Sequence, residues 1–295
     1  MSSLASTRRK LNSALTLQSV VTTMKTLSSV RIGQYRRSVA ALEASAQTIE
    51  LALQAVLKMN PELLETPEPG ARESMAVVVF GSDRGLCGPF NERIARHAAA
   101  LLDSGQPGGE PPRVLAVGRR LEPRLRTLRW QPHERTEPPG SVGAIDHAVV
   151  EVLTHIDRWR EEGLADRLFL TYNLPTGGAT YESRTVQLLP LATDWLRELR
   201  DRPWPSRRLP MELTHPRELL QGLVRQSIAH ELVRAFAASQ ASENAARLAA
   251  MDAAERNIEE RLETLQTAYR QARQNAVTAE LLDIQAAYAA RESGS

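Results

Sequence analysis

From Pro216 to Ala290 the chain has no proline after the first residue and a single glycine, Gly222, so nothing in it forces a helix to stop. At about 1.5 Å per residue, one continuous helix over this stretch is roughly 110 Å long, several times the width of a small domain. Leu248, Met251, Ile258, Leu262, Leu265, Tyr269, Val277, Leu281, Ile284 and Tyr288 recur mostly at alternating spacings of three and four, the pattern of a coiled-coil seam. Between Phe236 and Ala254 the seam is largely alanine, which admits a neighbouring helix closely but buries little area per residue. A helix this long and narrow needs a partner.

Residues 4–58 supply one, with no proline before Pro61 and one internal glycine, Gly33. Tyr35, Val39, Leu42, Ala46, Ile49, Leu53 and Val56 form one heptad series; Leu17, Val20, Met24 and Leu27 form a second, out of register with the first. Eight residues separate Leu27 from Tyr35, as they separate Tyr269 from Val277, so each seam is expected to relax locally. The simplest architecture pairs the two terminal helices antiparallel around a compact middle segment.

The net charge of +2 implies no global polyelectrolyte behaviour, but before Glu43 stand Arg8, Arg9, Lys10, Lys25, Arg31, Arg36 and Arg37 with no acid among them. A nucleic-acid groove is disfavoured because aromatic interleaving is absent. The C-terminal helix instead offers Glu231, Glu243, Asp252, Glu255, Glu259, Glu260 and Glu263 as partners. No apolar run approaches the ~20 residues that span a bilayer, so any membrane role is expected to be peripheral. The lone cysteine, Cys87, has no internal disulfide partner.

The middle reads as βαβ alternation. Met75–Phe80 is an apolar run bounded by Gly81, the mark of a buried parallel strand. Asn91–Leu102 reads as helix, Val114–Val117 as strand, Val142–Trp159 as helix, Leu168–Tyr172 as strand and Thr185–Leu191 as a closing edge strand. Gly105–Pro112 and Gln131–Gly140 read as loops. The expected division is a coiled-coil helix over 1–60, a linker over 61–73, an α/β domain over 74–210 and the second coiled-coil helix over 211–295.

Chemistry would sit at the turn Gly81-Ser-Asp-Arg-Gly-Leu-Cys-Gly88, between a strand and a helix, where backbone amides often hold phosphate. Its glycine spacing departs from the dinucleotide fingerprint and the chain has no phosphate-loop sequence. A structural role is favoured: a tight turn, with Asp83 and Arg84 forming a local salt link or meeting another subunit. Cys87 would need a histidine base to act as a nucleophile, and the six histidines show no metal-ligand spacing. No catalytic residue, cofactor site or metal site is assigned.

Ser82-Asp-Arg-Gly-Leu-Cys-Gly88 with Phe90-Asn91 resembles the SDRGLCGxFN signature of the F-type ATP synthase gamma-subunit family. Ser242-Glu-Asn-Ala-Ala-Arg-Leu-Ala-Ala-Met251 is similar to its SExxARMxAM, and Ala272-Arg-Gln-Asn-Ala-Val-Thr278 with Glu280-Leu281 to its ARQxxITxEL. The resemblance implies an α/β chain: a long antiparallel coiled coil of the N- and C-terminal helices plus a central Rossmann-like α/β domain. It implies a non-catalytic rotor shaft that couples ion flow through the membrane c-ring to ATP synthesis or hydrolysis on a ring of alpha and beta subunits. The epsilon subunit would be a further partner, and the location the cytoplasmic face of the inner membrane, held there through the complex. Positions matching the family's ring contacts are Met24, Lys25, Arg273, Gln274 and Thr278; the signature turn is Ser82, Asp83, Arg84, Gly85, Cys87 and Gly88. The alternative from another class is a coiled-coil scaffold tethering unrelated partners.

Two departures mark a divergent branch, such as the shaft of an alternative F-type ATPase. Where the family carries NTxKITKAM this chain has Thr16-Leu-Gln-Ser-Val-Val-Thr-Thr-Met24, with Ser19 and Thr22 in place of two lysines. Near the C-terminus Tyr288 stands where a small side chain is expected.

Overall fold

The computed structural model describes residues 4–64, 74–104, 111–177 and 180–292. Two helices dominate: α1, Leu4–Met59, and α6, Pro216–Glu292. Between them lie β1 (Met75–Phe80), α2 (Phe90–Ser104), β2 (Arg113–Val117), α3 (Glu122–Thr127), β3 (Glu134–Thr136), α4 (Ile145–Glu161), β4 (Arg167–Gly177), β5 (Thr180–Leu189) and α5 (Thr193–Asp201). Most of the expected linker, residues 65–73, and most of the first expected loop, residues 105–110, lie outside the described residues. The second expected loop is corrected, because Glu134–Thr136 pairs with β2 as a short strand. Three residues carry too little apolar pattern to announce a strand.

The chain packs as two units, one of Met1–Leu27 with Leu248–Ser295 and one of Ser28–Arg247. The first is an antiparallel helix pair. Ala14 and Leu11 pack with Ile258, Leu262 and Leu265, while Lys25 reaches back to Asp252 at 2.7 Å and to Glu255 at 2.5 Å. Of the anticipated charge pairing between helices, Lys25 with Asp252 and Glu255 is what the described residues of the first unit show.

Both seams follow the expected ones in part: Tyr35, Val39, Leu42, Ala46, Ile49, Leu53 and Val56 of α1 and the series from Leu248 to Tyr269 of α6 are buried or half-buried as expected, and others are exposed. In α1 the buried residues Thr7, Ala14, Val21, Ser28, Tyr35, Ile49 and Val56 share one seven-residue repeat, with Leu53, Gln54, Ala55 and Leu57 buried off it near the C-terminal end of the helix. Leu17, Val20 and Leu27, expected inside, are 56%, 46% and 54% exposed. Small and polar residues form the seam because they let the partner helix approach closely, and Lys25 enters it by pairing with two carboxylates.

In α6, Met251, Leu262 and Leu265 are buried, with Leu248, Glu255, Ile258, Tyr269, Ala272 and Ala276 half-buried at unbroken three-and-four spacings. The seam therefore passes through Ala272 and Ala276. Val277, Leu281 and Ile284 are exposed, as is Leu282, and the Tyr288 side chain is outside the described residues.

The register is testable. Leu262→Ala removes buried apolar volume and is expected to cost about 2–3 kcal/mol, whereas Leu17→Ala is expected to stay within about 0.5 kcal/mol. Denaturant titrations of the two variants check this; equal losses would return Leu17 to the seam.

The second unit contains a five-stranded sheet in the order β3-β2-β1-β4-β5. β1 lies parallel to both β2 and β4, with Val78 opposite Leu115 on one side and Leu170 on the other, and β5 runs antiparallel at the edge. Strand β1 is buried along its whole length, as a central parallel strand covered on both faces must be. Ala76, Val78 and Phe80 face α4, part of α6 and Tyr35 of α1. Met75, Val77 and Val79 face α2 and the Leu121–Leu125 turn. Phe80 sits between Phe236 and Tyr172, edge-on to both, at 4.9 and 6.3 Å between ring centres.

Candidate functional site: a buried polar joint

The site is built where β1 ends. Gly81 must be glycine, since a Cβ there would stand 2.6 Å from the Leu121 Cβ and 2.8 Å from the Asn91 side-chain oxygen. This close approach lets Asn91, in the first turn of α2, close the loop. The Ser82 amide donates to Asn91 Oδ1 at 2.9 Å, Asn91 Nδ2 donates to Ser82 Oγ at 2.8 Å, and Ser82 Oγ donates to the Arg84 carbonyl at 2.9 Å. Ser82 is fully buried, so each of these bonds replaces one that water can no longer make.

Asp83 does form a salt link, but with Arg119, at 3.0 Å, and not with Arg84. It also accepts the Arg119 amide at 2.9 Å. The link ties the β1–α2 turn to the β2–α3 turn, and Arg84 stays exposed. Leu86 holds a left-handed φ of 64° with its side chain 60% exposed, followed by Gly88 at φ 54°.

Cys87 is buried against Phe90 and Ala246. Burial pushes its thiol above the usual range, which disfavours the thiolate a nucleophile requires. His97, the candidate base, is engaged with Thr185 Oγ1 at 3.0 Å.

The other half of the joint comes from α6. Ser242 Oγ donates to the Asn173 carbonyl at 3.0 Å and Asn244 Nδ2 to the Gln240 carbonyl at 2.8 Å. Arg247 pairs with Glu243 at 2.5 Å, one turn away, with side chains 9% and 6% exposed. It also reaches the Gly85 carbonyl at 3.4 Å. Burial pushes the Glu243 carboxyl up, while Arg247, then Arg84 and Arg31, pull it back. Two motifs far apart in sequence are thus one structural feature, a polar contact between the signature turn and α6.

This contact also bears on the nucleotide reading of the turn. In open α/β sheets a ligand lies beyond the carboxyl ends of the strands where the strand order reverses, which here is between β1 and β4. Ala246 against Cys87 and Phe90, and Ser242 on the β4 backbone, place α6 in that position. Helix α6 packs on the glycine turn.

The five candidate ring contacts lie in the first unit. Met24 is half-buried, and Lys25 is 28% exposed and bound to Asp252 and Glu255. Arg273, Gln274 and Thr278 are exposed on α6, where the Thr278 hydroxyl donates to the Gln274 carbonyl at 2.9 Å. Sequence reasoning missed Arg119 and Asn173 as parts of the joint. The signal available was the Glu243–Arg247 spacing, an ion pair one helical turn apart inside an alanine-rich stretch.

A sequence profile of the family described as ATP synthase matches residues 3–290. The ATP synthase gamma chain of Parafrankia sp. is 30% identical, covering 98% of this chain and 97% of its own. That of Nitratiruptor sp. is 26% identical, with 96% and 97% covered. The fold is shared with a chain of the Euglena gracilis mitochondrial ATP synthase rotor, at TM-score 0.61 and 18% identity over 93% of this chain and 98% of that one. A chain of the same organism's OSCP/F1/c-ring assembly gives 0.63 at 20% identity, with 99% and 95% covered. From end to end, the chain belongs to the gamma-chain family of ATP synthase.

Proposed function

We propose that this chain is the central rotor shaft of an F-type ATP synthase, a non-catalytic subunit that couples ion flow through a membrane c-ring to ATP chemistry on an alpha/beta ring. The observation that carries the reading is the end-to-end family match of a chain whose α1 and α6 form an antiparallel pair. Residues 1–60 and 211–295 serve as the coiled coil and 74–210 as the domain at its base. The partners are the alpha and beta subunits, the epsilon subunit and the c-ring. No helix among the described residues is long and apolar enough to cross a membrane, which suits attachment at the cytoplasmic face of the inner membrane through the complex.

Met24, Lys25, Arg273, Gln274 and Thr278 are the proposed ring contacts. Arg273 and Gln274, exposed on α6, would offer charge-assisted hydrogen bonds to acidic loops of the beta subunits, as the family resemblance implies, whereas Lys25 would exchange one carboxylate partner for another. Affinity capture of the tagged chain from its native membranes in mild detergent tests the reading. Stoichiometric alpha, beta and c subunits are expected, and their absence from a soluble, helical bait would favour a scaffold. In the captured complex, Arg273→Ala with Gln274→Ala is expected to lower coupled ATP turnover without changing assembly. Unchanged turnover would remove these two from the contact.

A further inference from the structure

A cavity of about 290 Å³ opens within the unit Ser28–Arg247, between α1, the end of β5, α5 and α6. Ile49, Leu53, Leu188 and Ile228 form an apolar, buried floor, and Trp195 stands half-buried beside it. The volume lies just below the range for small-molecule pockets, about 300–1,000 Å³, so it suits a small ligand.

The rim has a different character, with Glu50, His230 and Glu231. His230 Nε2 lies 2.9 Å from the Leu42 carbonyl. A carbonyl only accepts, so Nε2 donates to it. Glu50 meets Arg202 at 3.2 Å and Glu231 meets Arg234 at 3.5 Å. Each is a single, partly exposed contact, and an ionised carboxylate accepts at about four positions. The rim therefore offers acceptors above a floor that offers only apolar surface.

We propose that this cavity binds a small amphipathic organic amine, with its aryl or alkyl body on the apolar floor beside Trp195 and its ammonium donating to Glu50 and Glu231. A bound amine would tie α1, α5 and α6 together. The proposal rests on this chain's own fold and stands apart from the rotor reading.

Calorimetric titration of the purified full chain with phenethylamine, phenethyl alcohol and hydrocinnamate tests it. Phenethylamine is expected to bind about tenfold or more tightly than the alcohol, as a charge-assisted hydrogen bond implies, and the carboxylate is expected to bind most weakly. The double variant Glu50→Gln, Glu231→Gln should lose the preference for the amine while keeping its helical circular dichroism. Ser227→Phe, which fills the cavity, should abolish binding of all three. No amine binding by the unaltered chain, equal affinity for the three probes, or a preference that survives in the double glutamine variant would each overturn the proposal. The glutamine variant decides the matter if Ser227→Phe does not fold.

Discussion

Arg247→Ala is expected to destabilise the α/β unit by about 3–5 kcal/mol, the cost of leaving one member of a buried ion pair without its partner. Glu243 keeps only 6% of its side chain in contact with solvent, so water cannot replace the guanidinium. The melting temperature should fall on the order of 10 °C. Replacing both partners by apolar residues of similar length, Glu243→Leu with Arg247→Met, should recover most of the loss, because the desolvation of both charges disappears with them. A double variant no better than Arg247→Ala would show that the Gly85 contact matters more than the pair.

The loss should also depend on pH. Burial holds the Glu243 carboxyl above its ordinary value, opposed first by Arg247. Removing Arg247 raises it further, so the folded variant binds a proton more tightly than the unfolded chain does. An acid raised in the folded state contributes most below its unfolded pKa and loses that contribution as pH climbs toward the folded one. The deficit of Arg247→Ala relative to the unaltered chain should therefore be smaller near pH 5 than near pH 8. Denaturant titrations at the two pH values check the sign, and a deficit that grows on acidification would overturn the assignment to Glu243.

Gly118→Val is expected to cost about 2–6 kcal/mol, combining backbone strain with overpacking. Gly118 holds φ 101°, and a Cβ there would come within 2.7 Å of the Ser82 carbonyl carbon and oxygen. Backbone cannot swing aside as a side chain can, so either the turn after β1 or the end of β2 must move. Asp83 and Arg119 lie in these two turns, and hydrogen exchange should report loosening at both. Gly33→Ala is the control: its Cβ would meet nothing within 4 Å, and helix propensity alone should stabilise α1 by up to about 1 kcal/mol. A tolerated Gly118→Val would mean that the two turns are not pressed together.

The two long helices were legible because the determinant is local: no proline interrupts either, and apolar residues recur at helical spacing. The strands β1, β2 and β4 were legible for the same reason, as continuous apolar runs between breakers. The helix seams were legible only in part: the series from Tyr35 to Val56 and from Leu248 to Tyr269 are buried or half-buried, and others are exposed. Leu17, Val20 and Leu27 have the size and spacing of seam residues, yet Thr7, Ala14, Val21 and Ser28 occupy the seam of α1. Which stripe faces the partner depends on close approach and on where Lys25 finds Asp252 and Glu255, and no local pattern encodes that pairing.

The joint divides in the same way. The sequence alone determined that a glycine-rich turn follows β1 and that Glu243 and Arg247 stand one helical turn apart. Tertiary structure decided that they meet, that Asp83 answers to Arg119, and that α6 lies where a nucleotide would otherwise bind. The physical reason is that a turn's conformation is set by its own backbone, whereas its partner is set by whichever distant segment can bury its polar groups with their hydrogen bonds intact.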